Sequence, residues 1–215
     1  MLTITDLFDL DHTIAKDYLA QFTYPWEALA GIKDFLLSVG PTLEDYDEVS
    51  PQVWVHKTAT VAPTAFLGGP CIIGPETEVR HCAFIRGSAL VGAGCVVGNS
   101  VELKNVILFD GVQTPHYNYV GDSILGYKSH MGAGSITSNV KSDKLPVVVR
   151  CGDERIDTGR KKVGAMLGDF VEVGCNSVLN PGTVIGPHSI IYPTSCVRGV
   201  LPERSIYKND GTVLP

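Results

Sequence analysis

No stretch of this 215-residue chain approaches the roughly 18 consecutive apolar residues that a transmembrane helix needs. Its start lacks the basic-then-apolar order of a signal peptide, so the sequence reads as cytoplasmic. Charge is sparse, with 19% charged residues and a net charge of −6. With no long run of Lys and Arg, this argues against nucleic acid or an anionic membrane as the main partner. The six cysteines contain no C-x-x-C pair, which favours packed thiols over metal ligands or disulfides. A Gly-rich phosphate loop of the G-G-x-G-T-R kind, followed by a lysine, is also missing. That argues against nucleotidyl transfer by this chain alone.

What the chain does have is a period of six. Val55, Val61, Leu67, Ile73, Val79, Ile85, Val91, Val97, Leu103 and Phe109 form one unbroken apolar series, and Leu167, Val173, Leu179, Ile185, Ile191 and Val197 form a second. Large apolar residues fill about a third of the chain, so ten hits in one phase have chance odds on the order of one in 10⁵. Six matches neither the 3.6 of a helix nor the 2 of a strand, but it fits a parallel β-helix whose flat faces each take one hexapeptide. Four residues after each apolar position the side chain is small, as at Cys71, Ala83, Ala89 and Cys95, which suits tight corners. Stacked coils bury what a single coil cannot.

Residues 1 to about 50 lie outside this period and read as a helical N-terminal extension. Thr13 is placed to cap a helix through Leu19, and Pro25 to open another that ends near Gly40-Pro41. The β-helix is expected over 51–208, with a tail over 209–215. Two interruptions are expected, near 111–122 and 139–163. In the second, Val147-Val148-Val149-Arg150, Cys151-Gly152-Asp153 and the charged run after them read as a hairpin or protruding loop. Interrupted repeats are where solenoids tend to build sites.

Both interruptions carry motifs. His116, Tyr119, Gly121 and Asp122 match H-x-x-Y-x-G-D, and Gly132 to Asn139 match G-A-G-[ST]-I-T-x-N. Upstream, Arg86-Gly87 and Val101-Glu102-Leu103-Lys104 match R-x-G and V-E-x-K elements with their spacing to the histidine preserved. In these elements the stretch from Phe84 to Lys144 resembles the acetyltransferase domain of the bacterial bifunctional uridyltransferase and glucosamine-1-phosphate N-acetyltransferase, a left-handed β-helix trimer. The whole chain is similar to the C-terminal part of sugar-1-phosphate nucleotidyltransferase-like proteins.

The resemblance implies an all-β, left-handed parallel β-helix that assembles as a homotrimer and works in UDP-N-acetylglucosamine biosynthesis. It implies acetyl-CoA as co-substrate, a sugar 1-phosphate as acceptor, and no metal. His116 would be the general base, with Glu102 beside it to orient the ring. Arg86, Lys104 and Lys144 would hold the phosphate, and Tyr119 and Asn139 would contact the acceptor. The Ala133 amide would meet the acetyl carbonyl, and Cys175, where the family has serine, would line the coenzyme A path. Reaching Lys144 takes a one-residue deletion, and His130 replaces an acceptor-side asparagine. A separate nucleotidyltransferase is a candidate partner.

The chemistry is coherent on its own terms. A nucleophile attacking a thioester needs a base that titrates near neutrality. A phosphate calls for two or three cations, and a backbone N–H can stabilise the developing oxyanion. Two other readings compete. One is a non-catalytic module that binds sugar nucleotides or drives assembly. The other is a zinc carbonic anhydrase-like site built on His81, His116 and a further histidine.

Overall fold

The computed structural model describes residues 1–215. The period of six becomes a left-handed parallel β-helix of three flat faces. The first face stacks Val53–His56, Cys71–Ile73 and Ala89–Val91, and continues to Ala165–Leu167 and Thr183–Ile185. The second stacks Thr60–Val61, Glu78–Val79, Val96–Asn99, Gln113–His116, His130–Met131 and Glu172–Val173. The third stacks Phe66–Leu67, Phe84–Ile85, the leading parts of Glu102–Leu108 and Tyr119–Leu125, then Ile136–Thr137, Val178–Leu179 and Cys196–Val197. Side chains alternate sides along a strand, so the series residues point inward. Cys71 and Cys95 sit at fully buried corners, where burial pushes both thiols up to about 12.

The first face differs from the other two because its outward residues are also apolar. Trp54, Ile72, Leu90, Ile107, Ile124 and Met166 alternate with the inward set and are all buried. The N-terminal extension covers them. It contains the expected helices, Lys16–Leu19 and Ile32–Val39, the latter preceded by the 3₁₀ segment Pro25–Ala30 and ending at Gly40. Thr13 Oγ1 accepts a hydrogen bond from the Ala15 N–H at 3.2 Å. The extension shares one apolar cluster with the solenoid, through Trp26, Leu29, Ile32 and Leu36. Polar clasps fix it there: the Asp169 carboxylate accepts from the N–H groups of Asp9 and Tyr127, both at 2.7 Å. Tyr46–Ser50, before the expected boundary at 51, already pairs antiparallel with Val53–His56.

The expected interruption near 111–122 is not an excursion. Residues 113–116 pair in parallel with 96–99, and residues 119–125 with 102–108. The register shows why the sequence period seems lost there. Val91 pairs with Leu108 and Leu108 with Leu125, steps of 17 residues rather than 18. Each of these coils is one residue short at the turn from the third face to the first. Phe109 hides the slip because it too is fully buried, but its ring packs against Phe8 of the extension at 5.0 Å.

The second interruption is a true insertion. Leu125 pairs with Leu167, a step of 42. Between them Val148–Cys151 and Glu154–Asp157 form an antiparallel hairpin, and a bridge between Val140 and Lys162 closes its base. At the other end, Val213–Leu214 folds back antiparallel on Ile206–Tyr207.

Candidate active site on the third face

Two columns of residues border the third face. At its leading corner, between the second and third faces, the same turn position is occupied in successive coils by Pro63, His81, Asn99, His116, Ala133, Cys175 and Pro193. Backbone hydrogen bonds stack the column: Gly134 donates to the His116 carbonyl at 3.0 Å, Asn176 to that of Ala133 at 2.9 Å, and Thr194 to that of Cys175 at 2.8 Å. Proline occupies this position in two coils, and at His116 the N–H donates to the Asn118 side-chain oxygen at 3.2 Å. Ala133 keeps an N–H there, and that N–H makes no hydrogen bond within the protein. The corner is fixed from inside by the buried Asn118 side chain, which donates to the Gly132 and Ser135 carbonyls at 2.8 and 3.1 Å.

The trailing column carries the charge. Lys104 Nζ lies 3.1 and 3.2 Å from the two carboxylate oxygens of Asp122, which is nearly fully buried. Asn139 Nδ2 donates to Asp122 at 2.6 Å and to the Tyr119 hydroxyl at 3.1 Å, and Asn105 Nδ2 donates to Asp122 at 2.9 Å. Burial, reinforced by the Asp122 charge, raises the Tyr119 phenol, so the hydroxyl stays protonated at neutral pH. Asp122 holds this set from a left-handed backbone conformation, φ 49°, which short polar residues tolerate. The two columns run along opposite edges of the third face, five residues apart in the chain, from Asn99 to Lys104 in one coil and from His116 to Gly121 in the next.

Four expected placements differ. Glu102 does not hydrogen-bond the His116 ring; its carboxylate takes Arg86 Nη1 at 2.8 Å instead. It leads a third-face strand, outward beside Arg86 of the preceding coil, whereas His116 sits back on the corner. His130 lies on the second face, beside Gln113, with its ring 2.9 Å from Glu172. Lys144 is exposed at a turn with φ 58°, and its side chain makes no ion pair. His81 and His116 are two coils apart in their column, the His81 ring meets the Thr64 hydroxyl at 2.9 Å, and no third His, Cys, Asp or Glu comes together with them as a zinc site would need.

Sequence reading missed one cation. Lys33, exposed on Ile32–Val39, joins Arg86, Ser88, Lys104 and Asn105 around one depression of about 390 Å³. Arg86 and Lys104 each already face a carboxylate, and Lys33 faces none. No signal in the sequence points to it, because the extension lies outside the repeat and meets the site only through folding.

The stacked coils and bordered face define a hexapeptide-repeat β-helix of the acyltransferase type. The chain belongs to the family described as the GMPPB C-terminal domain, which matches residues 67–192. A Methanococcus maripaludis protein, "Bifunctional protein GlmU", is 31% identical over 204 residues, covering 93% of this chain and 49% of that one. A "Bifunctional sugar-1-phosphate nucleotidylyltransferase/acetyltransferase" from Sulfurisphaera tokodaii is 37% identical over 95 residues, 44% of this chain and 24% of that one. The chain thus spans half or less of these relatives' length. Among solved structures, a hexapeptide transferase family protein from Anaplasma phagocytophilum aligns over 76% of this chain and 78% of that one, with TM-score 0.46 and 15% identity. At that level of likeness nothing about activity follows.

Proposed function

We propose that this chain transfers an acetyl group from acetyl-CoA to the nitrogen of an amino-sugar 1-phosphate of the glucosamine or galactosamine type. The observation that carries the reading is the third face itself: the corner column that holds His116 borders it on one edge and the cation column of Arg86 and Lys104 on the other. Arg86 and Lys104 hold the phosphate at the trailing edge, while Tyr119 and Asn139 contact the sugar. At the leading edge His116 takes the proton as the amine nitrogen attacks the thioester carbon. The C–N bond forms, the C–S bond breaks, and coenzyme A leaves as the thiol. The unpartnered Ala133 N–H suits the carbonyl oxygen as it gains negative charge. Cys175, one coil further along the corner, lines the path of the donor. The names of the Methanococcus and Sulfurisphaera relatives support this chemistry, and through it a place in UDP-N-acetylglucosamine biosynthesis.

The test is thiol release from acetyl-CoA across a panel of sugar 1-phosphates, with His116→Ala beside the parent. Turnover with an amino-sugar 1-phosphate should fall by about 10²-fold or more in the variant, with the melting temperature nearly unchanged. Equal rates in the two proteins would overturn the role of His116. A parent that binds sugar nucleotide but turns over no acceptor would favour a binding module.

A further inference from the structure

The insertion from 139 to 163 carries seven basic and four acidic side chains, a net +3 within a chain of net −6. Fold stability gives no reason for how two of these charges are placed. Arg150 stands directly opposite Arg155 across the hairpin, and like charges in that relation destabilise a sheet. Arg150 and Lys141 also converge with Arg198 of the solenoid on one depression of about 200 Å³, and no acidic side chain lines it. Neither Arg150 nor Arg198 makes a side-chain hydrogen bond or ion pair within the protein. Lys141 Nζ is steadied at the rim by the Pro146 carbonyl at 3.4 Å and Asp143 at 3.1 Å.

The depression is built by close packing. Its floor is Pro181, Gly182 and Gly199. Val147 and Val149 of the hairpin arm are fully buried. A Cβ on Gly182 would lie 2.8 Å from Val147 Cγ1, and one on Gly199 would lie 3.0 Å from the Arg150 carbonyl. Both glycines also hold left-handed angles, φ 78° and 80°. The Gly199 N–H has no acceptor in the protein. Two guanidinium forks, an ammonium group and a free backbone N–H around one concavity are the donor set that a phosphate ester takes.

We propose that this depression binds the phosphate or diphosphate group of a small molecule, at a site distinct from the Arg86–Lys104 depression. Ladder register puts Lys104 and Arg198 in the same third-face column four coils apart, about 19 Å. One phosphate cannot serve both. This chemistry has two carriers, the phosphates of coenzyme A and the diphosphate of a nucleotide, and both can be presented to the protein.

The test is calorimetric titration of the full chain with inorganic pyrophosphate at low salt. The proteins are the parent, Arg150→Gln/Arg198→Gln, and Arg86→Gln/Lys104→Gln. Both arginines of the first pair are exposed, and circular dichroism checks that each variant is folded. A binding step that weakens at least about tenfold in the first double variant and survives in the second supports the site. Displacement of pyrophosphate from that step by coenzyme A or by uridine diphosphate supports it and identifies the carrier. No binding by the parent at millimolar pyrophosphate, an unchanged step in Arg150→Gln/Arg198→Gln, or displacement by neither compound overturns it. The readout needs no turnover, so a failure of the acetyl-transfer reading remains distinguishable from a failure of this one.

Discussion

Asp122 organises the charged edge of the third face. One buried carboxylate accepts from Lys104, Asn105 and Asn139 together, and through Asn139 it is linked to the Tyr119 hydroxyl. Asp122→Asn keeps a side chain that tolerates the left-handed backbone but leaves a single acceptor oxygen for three donors. Lys104 is only about a quarter exposed, so losing its partner should lower stability by about 2 kcal/mol, read by denaturant melting. An unchanged midpoint would show that Lys104 finds water instead. Lys33 makes a different case, because it offers the acceptor depression its one cation not facing a carboxylate. Lys33→Met should raise the acceptor KM several-fold and leave the acetyl-CoA KM alone, and Lys33→Arg should restore it. Equal loss with acetyl-CoA would assign Lys33 to the donor. Motif spacing made His116, Arg86, Lys104, Tyr119 and Asn139 legible in the sequence, since each sits at a fixed place within a repeat. Lys33 was not legible, because its contact crosses from a non-repeating segment. The Glu102–Arg86 pair was misread for a related reason: residues 16 apart become neighbours only once coils stack.

At the scale of elements, the period showed the faces but misplaced a break. A step of 17 instead of 18 looks like a lost repeat when read along one phase, and Phe109 supplied a false hit because the extension buries it from outside. The extension itself was legible as helical, through Thr13, Pro25 and Gly40. What it covers was not marked by periodicity. The clue lay in the outward apolar set Ile72, Leu90, Ile107 and Ile124, which makes first-face strands apolar on both sides. The hairpin is a separable element by the same register logic. Deleting residues 140–163 removes 24 residues from a step of 42 and restores the regular 18. Since the Val163 N–H already donates to the Asn139 carbonyl at 3.1 Å, the two ends meet without strain. This deletion should leave a cooperatively unfolding β-solenoid by circular dichroism while abolishing pyrophosphate binding at the Arg150–Arg198 depression. A chain that no longer folds would mean that Val147 and Val149 are needed by the core they cover.

At the scale of the whole molecule, the three faces have unequal needs. The first is closed by the chain's own extension. The second presents polar side chains along most of its length, among them Glu78, Gln113, His130 and Glu172, before Ile190 and Ile206 in its last coils. The third presents one outward column with Phe66 and Phe84 at one end, Glu102 and Tyr119 in the middle, and Ile136 and Val178 beyond; Phe66 is 58% and Phe84 43% exposed, with their rings 5.5 Å apart. Exposed aromatic rings at the end of that column are costly to leave in water, and a copy of the same chain can cover them. Covering a third face with another copy's different surface is a head-to-tail contact, which closes into a ring when the rotation allows. Three copies would also wall the third face on its open side, above His116 and Lys104, where a single copy leaves it exposed. The expected outcome is a C₃ trimer in solution, about 69 kDa by light scattering, or three times the 23.1 kDa chain. Phe84→Glu should place a charge in that contact, shift the mass toward 23.1 kDa and lower acetyl transfer in parallel. A parent that sediments as a monomer at micromolar concentration and still turns over would refute the shared wall. A Phe84→Glu monomer with full activity would show that one copy's third face is a complete site.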